Sequence, residues 1–228
     1  AGTASPTVTS TAMYVVSQEG WLYAFSTEDG TELWKLSTDG ISFGSPSVRG
    51  DRLVIGTDKG VVIGLNPETG HAAWKRTMPS PIYTTPVLDG DTAWVVTDDG
   101  LLRGLDLDTG EDRFSLETTS DLTPTTSGDV IYVPSEDGGL YAMDRESGEV
   151  HWFASAGGTV MAGPVRTEDQ VLIAGGNRIA GLEQETGEQV WYYLAGDAIE
   201  APPAVVSGYV FFGARDGMLY AVTTNAPT

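Results

Sequence analysis

The sequence contains no cysteine. That excludes a disulfide framework, thiolate catalysis and a cysteine-based zinc site, and it removes the usual marker of compartment. Histidine is almost absent too, with only His71 and His151, and the only lysines are Lys35, Lys59 and Lys75. Positive charge is scarce altogether: 12 basic residues stand against 32 acidic ones, a formal net charge of −20. A surface this acidic repels phosphates and anionic lipid, which argues against nucleic acid as a partner. It reads as a solvated coat that keeps the chain soluble, the shortage of lysine also suits a salt-adapted, halophilic source, and a cationic partner is the last of the three readings. No apolar run has the length of a transmembrane helix. No stretch has the charged, apolar and cleavage regions of a signal peptide, which suits a mature or excised form, or a cytosolic protein. Helical periodicity is missing as well.

What is present is glycine, proline and apolar residues: 29 Gly, 12 Pro and 40% hydrophobic residues in 228. That composition suits a turn-rich all-β protein and not a disordered one. Two markers recur about every 40 residues. One is a turn glycine at Gly20, Gly60, Gly100, Gly138 and Gly217, with Asn177 in its place in the fifth copy; the other is a proline at Pro6, Pro46, Pro86, Pro124, Pro164 and Pro203. Such periods indicate solenoids, propellers or arrays. Each copy reads as four short strands: one beginning at the proline, one such as Leu53-Val54-Ile55, a hairpin turn such as Asp58-Lys59-Gly60, a third such as Val62 to Leu65, and a fourth after a Thr-Gly turn. Four antiparallel strands per repeat match a propeller blade. The third strand always carries a small residue, Ala24, Gly64, Gly104, Ala142, Gly181 or Ala221, which is expected to let a neighbouring sheet approach.

The expected fold is therefore an all-β propeller of six four-stranded repeats in one domain, 1–228, with repeats starting near 6, 46, 86, 124, 164 and 203. The last blade is incomplete, with three strands, because the sixth copy reaches Thr228 without an aromatic fourth strand. A ring of six blades with a reduced last one is the expected arrangement, against a fragment of a larger propeller.

The turn between the third and fourth strands carries a motif. It stands as Ala142, Asp144, Ser147, Gly148 and Trp152, and again as Gly64, Asn66, Thr69, Gly70 and Trp74, and as Gly181, Glu183, Thr186, Gly187 and Trp191. The first copy keeps Ala24, Gly30 and Trp34 with Ser26 at the acidic position, and the third ends on Phe114. An Asp before a turn accepts hydrogen bonds from the turn's N–H groups, and a tryptophan on the outer strand can cover the flat peptide of an adjacent turn. This pattern resembles the tryptophan-docking repeat of pyrroloquinoline-quinone-type propellers, a superfamily holding the quinoprotein alcohol dehydrogenases, the BamB-like outer-membrane assembly lipoproteins and propeller sensor domains of bacterial kinases. The resemblance covers essentially the whole chain. It implies that Trp34, Trp74, Phe114, Trp152 and Trp191 lock one blade to the next.

The same resemblance raises quinone chemistry and then weighs against it. The dehydrogenases are about twice this length and use an adjacent cysteine pair, which this chain lacks, and a quinone tricarboxylate wants cationic partners. His71 and His151 fall in or beside the docking turns, where they read as exposed polar residues, and no Ser-His-Asp set can be built from them. Asp98, Asp99, Glu136 and Asp137 read first as hairpin formers. No catalytic residue, cofactor site or metal site is assigned.

Variation is more informative than repetition. Three residues before each repeat proline lie Thr3, Phe43, Tyr83, Asp121, Met161 and Glu200. They are expected to ring one mouth of the central channel, and Phe43, Tyr83, Asp121, Met161 and Glu200 are the candidate binding residues. Apolar and aromatic residues with few charges suit a protein surface; the other reading is that Phe43, Tyr83 and Met161 merely plug the channel. The expected function is non-catalytic binding or scaffolding of a protein or peptide, outside the cell, at its surface or in a periplasm. The alternative is a ligand-sensing propeller of a receptor or kinase, cytoplasmic in the kinase case, and a degenerate dehydrogenase comes last.

Overall fold

The computed structural model describes residues 4–118, 122–135 and 138–224. Among them are six antiparallel sheets, five of four strands and one of three. They are the six blades of an all-β propeller repeat. The chain divides into two compact units, Ala1–Asp121 and Leu122–Thr228, each holding three blades.

In the first unit, blade 1 comprises Thr7–Val8, Ala12–Val16, Trp21–Ser26 and Glu32–Ser37. Blade 2 comprises Ser47–Arg49, Arg52–Gly56, Val61–Leu65 and Ala72–Thr77. Blade 3 comprises Val87–Asp89, Thr92–Thr97, Leu101–Asp106 and Asp112–Glu117. The strands of each blade pair in chain order, through hairpins. Position in the blade explains composition. The second and third strands of blade 2 are apolar runs buried on both faces, whereas the fourth, Ala72–Thr77, hides little except Trp74. Two cores lie between blades. Leu22 and Ala24 of blade 1 pack with Leu53, Ile55 and Leu65 of blade 2. Val54, Val62 and Trp74 pack with Ala93, Val95 and Leu105 of blade 3.

The second unit repeats this plan. Blade 4 comprises Thr125–Ser127, Val130–Ser135, Gly139–Asp144 and Val150–Ser155. Blade 5 comprises Val165–Arg166, Gln170–Gly175, Arg178–Glu183 and Gln189–Leu194. Blade 6 comprises Ala204–Val206, Tyr209–Gly213 and Leu219–Thr223. Tyr132, Leu140 and Ala142 pack with Val171, Ile173 and Leu182, and Leu172, Ile179 and Trp191 pack with Val210 and Phe212. At the blade 6 edge the pattern changes. Leu219 stands where Leu22, Val62, Leu102, Leu140 and Ile179 are fully buried, yet it is 75% exposed.

One expectation needs correction and another needs extending. Each repeat proline lies one residue ahead of the first strand and not inside it. Two of these prolines offer their carbonyls to the preceding blade: the Thr7 hydroxyl donates to Pro46 O and the Ser47 hydroxyl to Pro86 O, each at 2.5 Å. The small residue of the third strand does more than admit a neighbouring sheet, against which Ala24 and Ala142 pack. It lies opposite the docking aromatic of its own blade, as Gly64 opposite Trp74 and Gly181 opposite Trp191. A Cβ on Gly64 would sit 2.1 Å from the Trp74 ring. A bulge follows immediately in every complete blade, for example between Gly64 and Leu65, and turns the strand toward the docking turn.

The docking turns are built alike. Asn66, Asp106 and Asp144 each accept, on Oδ1, the backbone N–H groups two and three residues on and the following Thr or Ser hydroxyl. Asp106 alone among these three also faces an arginine. The Arg113 Nε donates to it at 3.1 Å, and the same guanidinium reaches Asp91 at 2.6 Å. Arg113 first, and the Thr109 bonds after it, hold the Asp106 carboxyl down at about 2. A carboxyl depressed in the folded state binds protons less readily than in the unfolded chain, so its contribution is complete above its ordinary value near 3.8 and is lost as pH falls through about 2. Asp106→Asn keeps the turn acceptor, as Asn66 shows, but removes this titration. The melting temperature of the variant should therefore fall less than wild type between pH 5 and pH 2.5. Parallel falls would mean that Arg113 does not hold the carboxylate.

Candidate functional site

Docking tryptophans tie the fourth strand of one blade to the turn between the third and fourth strands of the next. In the first unit the Trp34 indole N–H donates to Pro67 O and that of Trp74 to Leu107 O, both at 2.9 Å. The rings lie flat on Gly70 and Gly110, whose φ values of +70° and +72° only glycine adopts without strain. In the second unit Trp152 donates to Gln184 O at 3.1 Å and covers Gly187. Trp191 differs: it is fully buried, and its N–H goes to Gln170 Oε1 within its own blade at 2.7 Å. Phe114 packs edge-to-face against Trp94, ring centres 6.2 Å apart.

The candidate loops of the first unit run between blades. In the loop from blade 1 to blade 2, Ile41 N donates to the Asp58 carboxylate at 2.8 Å while Asp58 N donates back to Ile41 O at 2.9 Å, so loop and hairpin clasp each other. The Ser42 hydroxyl, buried, donates to Gly44 O. In the next loop Ile82 is fully buried, its N–H on Thr57 O at 2.9 Å, and Asp98 N donates to Pro81 O at 2.8 Å. The two loops then touch. Ser45 N donates to the Thr85 hydroxyl at 3.0 Å, and Gly44 lies so close to the Thr84 carbonyl that a Cβ there would be 2.1 Å from the oxygen.

Phe43 and Tyr83, by contrast, face outward. They are 38% and 44% exposed, with ring centres 5.5 Å apart and planes at 77°. An edge-to-face pair is the favoured contact for two aromatics, and it leaves ring faces open to a third group.

In the second unit Met161 is 47% exposed. Glu200 is tied to Arg215 by an ion pair of 2.9 Å, across from the blade 6 hairpin. Asp121 lies outside the described residues, as do Thr3, Glu136 and Asp137. His71 and His151 are both exposed. His151 borders a feature the sequence did not announce, a cavity of about 350 Å³ lined by Ser127, Val130, Tyr132, His151, Gln184 and Glu185. Its one visible signal was Gln184, a polar residue where blades 2 and 3 have Pro67 and Leu107. The Gln184 amide is fully engaged, accepting from Ser127 at 2.8 Å and donating to the carbonyls of Thr167, Glu168 and Gln170. Among the described residues, no group of three or more His, Asp or Glu is placed to hold a metal ion, and no helix is long and apolar enough to cross a membrane.

Comparison with known proteins places this geometry. No curated protein sequence matches the chain significantly. Among solved structures, BamB from Moraxella catarrhalis superposes with a TM-score of 0.84 at 19% identity, over 98% of this chain and 73% of that one. The computationally designed Ika8 protein superposes with a TM-score of 0.82 at 16% identity, over 97% of this chain and 70% of that one. At such identities the likeness is one of fold, the β-propeller. The sequence profile described as outer membrane protein assembly factor BamB matches in three overlapping stretches, residues 2–62, 18–127 and 113–226. Matched almost end to end by that profile, and carrying the tryptophan-on-glycine turn in both units, the chain belongs to the BamB family of quinoprotein-like propeller repeats.

Proposed function

We propose that the chain is a non-catalytic propeller that binds a protein partner through the loops preceding its first strands, outside the cytoplasm. The observation that carries this reading is the exposed Phe43–Tyr83 pair, held on loops clamped by Gly44 and Ser45. Rigid loops presenting aromatic anchors lose little entropy on binding, and aromatic residues dominate the energetics of protein interfaces. Family membership supports it, since relatives are described as assembly factors, which act on other proteins. The same description supports a periplasmic or cell-surface location. The absence of cysteine and the exposed position of both histidines support a non-enzymatic role.

The cavity beside Tyr132 favours a second reading, a small-ligand sensor. A photoreactive phenylalanine placed at position 83, and for comparison at the exposed position 32, separates the two in cells. Protein adducts at 83 and not at 32, lost on Phe43→Ala, are expected. Absence of adducts at 83 would sink the protein-binding reading.

A further inference from the structure

We propose that Phe43 and Tyr83 seat an arginine side chain presented by an extended segment of the partner protein, with the neighbouring hairpin carboxylates as its counter-charge; this rests on the protein-binding reading above. Three observations converge on it. The first is the geometry of the pair. Two rings at 77° leave an open face, and the face of an aromatic ring is its negative side, which attracts a cation.

The second is what flanks the rings. Each aromatic-bearing loop is bonded through its backbone to a hairpin that begins with an aspartate: Asp58 N to Ile41 O beside Phe43, and Asp98 N to Pro81 O beside Tyr83. Asp98 and Asp99 are exposed and, among the described residues, form no ion pair. Lys59 is the one basic side chain on these two hairpins, and the whole chain carries −20. Docking charge is therefore negative, and the complement is a cation.

The third is the choice between cations. A guanidinium is planar: it can lie on a ring while its N–H fork reaches a carboxylate beside it. An ammonium is a compact, strongly hydrated point charge that does only one of these well. The loops are fixed by backbone contacts, so the seat is formed before the partner arrives. The equivalent positions in the second unit, Met161 and Glu200, carry different chemistry on the same framework, and Glu200 already holds its own arginine, Arg215, at 2.9 Å. That internal pair shows the carboxylate side of the same recognition.

The test uses the intact chain and three synthetic peptides of about ten residues, a length suited to an extended segment, with a central arginine, lysine or citrulline in one Gly/Ser/Pro background. Calorimetry should show saturable binding of the arginine peptide, and binding weaker by about fivefold for lysine and by tenfold or more for citrulline. Tyr83→Ala and Phe43→Ala should each weaken the arginine peptide about tenfold. Both sites are exposed, so melting temperatures should stay near wild type. Equal binding of the arginine and lysine peptides with no effect of either variant would reduce the contact to general charge attraction and overturn the proposal, as would no saturable binding. The peptide should also suppress the protein adduct formed at position 83. Adducts that form and are not suppressed would leave the protein-binding reading standing and remove the arginine.

Discussion

Trp74→Ala is expected to be among the most destabilising single substitutions in the first unit, costing about 3–5 kcal/mol. The side chain is 8% exposed and works in two directions. In its own blade it fills the space opposite Gly64; toward the next it covers Gly110 and bonds Leu107 O at 2.9 Å. Truncation leaves a cavity on both sides and a buried carbonyl without its donor, and the second loss alone is worth about 1 kcal/mol or more. Trp74→Phe, the residue blade 3 uses as Phe114, should recover part of the loss but not the hydrogen bond. Trp21→Ala is the control. That ring is half-buried under the Lys35 ammonium, 5.5 Å from its centre, a contact worth about 1 kcal/mol or less at an exposed site. Urea titrations with unchanged slopes should order the three as Trp74→Ala, Trp74→Phe, Trp21→Ala. Equal shifts for Trp74→Ala and Trp21→Ala would show that docking between blades is not what holds the unit.

Gly44→Ala should destabilise by about 3 kcal/mol and disable the candidate site at the same time. The added methyl would lie 2.1 Å from Thr84 O and 2.7 Å from Thr85 N, both backbone atoms that no rotamer change can move away. The loops must part, giving up the Ser45–Thr85 bond and the Phe43–Tyr83 contact. Gly50→Ala separates this from ordinary backbone strain. Gly50 has φ +58° with open space where a Cβ would go, so it should cost only about 1–2 kcal/mol and leave peptide binding intact. A Gly44→Ala protein with wild-type melting and binding would mean the loops are not pressed together.

The architecture was legible because its signals are local and repeated. Strand alternation, Asp-Gly hairpins and the Thr-Gly turn each act within a few residues, and their recurrence fixed the blades. The docking tryptophans were legible as aromatics at constant spacing. What was not legible depends on which of two neighbours a side chain meets. Gly64 is small for Trp74 of its own blade, because the strand pairing and bulge place the indole there. Trp191 turns to Gln170, a polar residue buried two strands away in the same sheet, which no spacing rule foretells. The candidate positions Phe43 and Tyr83 were found as variable positions in a fixed frame, but their contact depends on the close approach of two loops at Gly44. Glu200 was found by the same rule, but its ion pair with Arg215 depends on the approach of the blade 6 hairpin.

The ladder through Thr7, Ser47 and the repeat prolines has a consequence for how such chains change over evolutionary time. Thr7 reaches 39 residues ahead to Pro46, and Ser47 reaches 39 ahead to Pro86; Ser5 N meets Ser45 and Ser45 N meets Thr85, each 40 ahead. In the first unit, blade 2 offers blade 3 the same kind of donors that blade 1 offers it. Excision of one whole period, residues 46–85, would set Thr7 against Pro86 and Trp34 against the turn at Gly110, partners of the same kind as those lost. Unequal crossing-over between repeats therefore adds or removes an entire blade while keeping each junction chemically matched. A deletion of a few residues mismatches every rung it touches. The unit of viable length change in this lineage is one blade, and the loop side chains at positions such as 43 and 83 are free to diverge after each duplication.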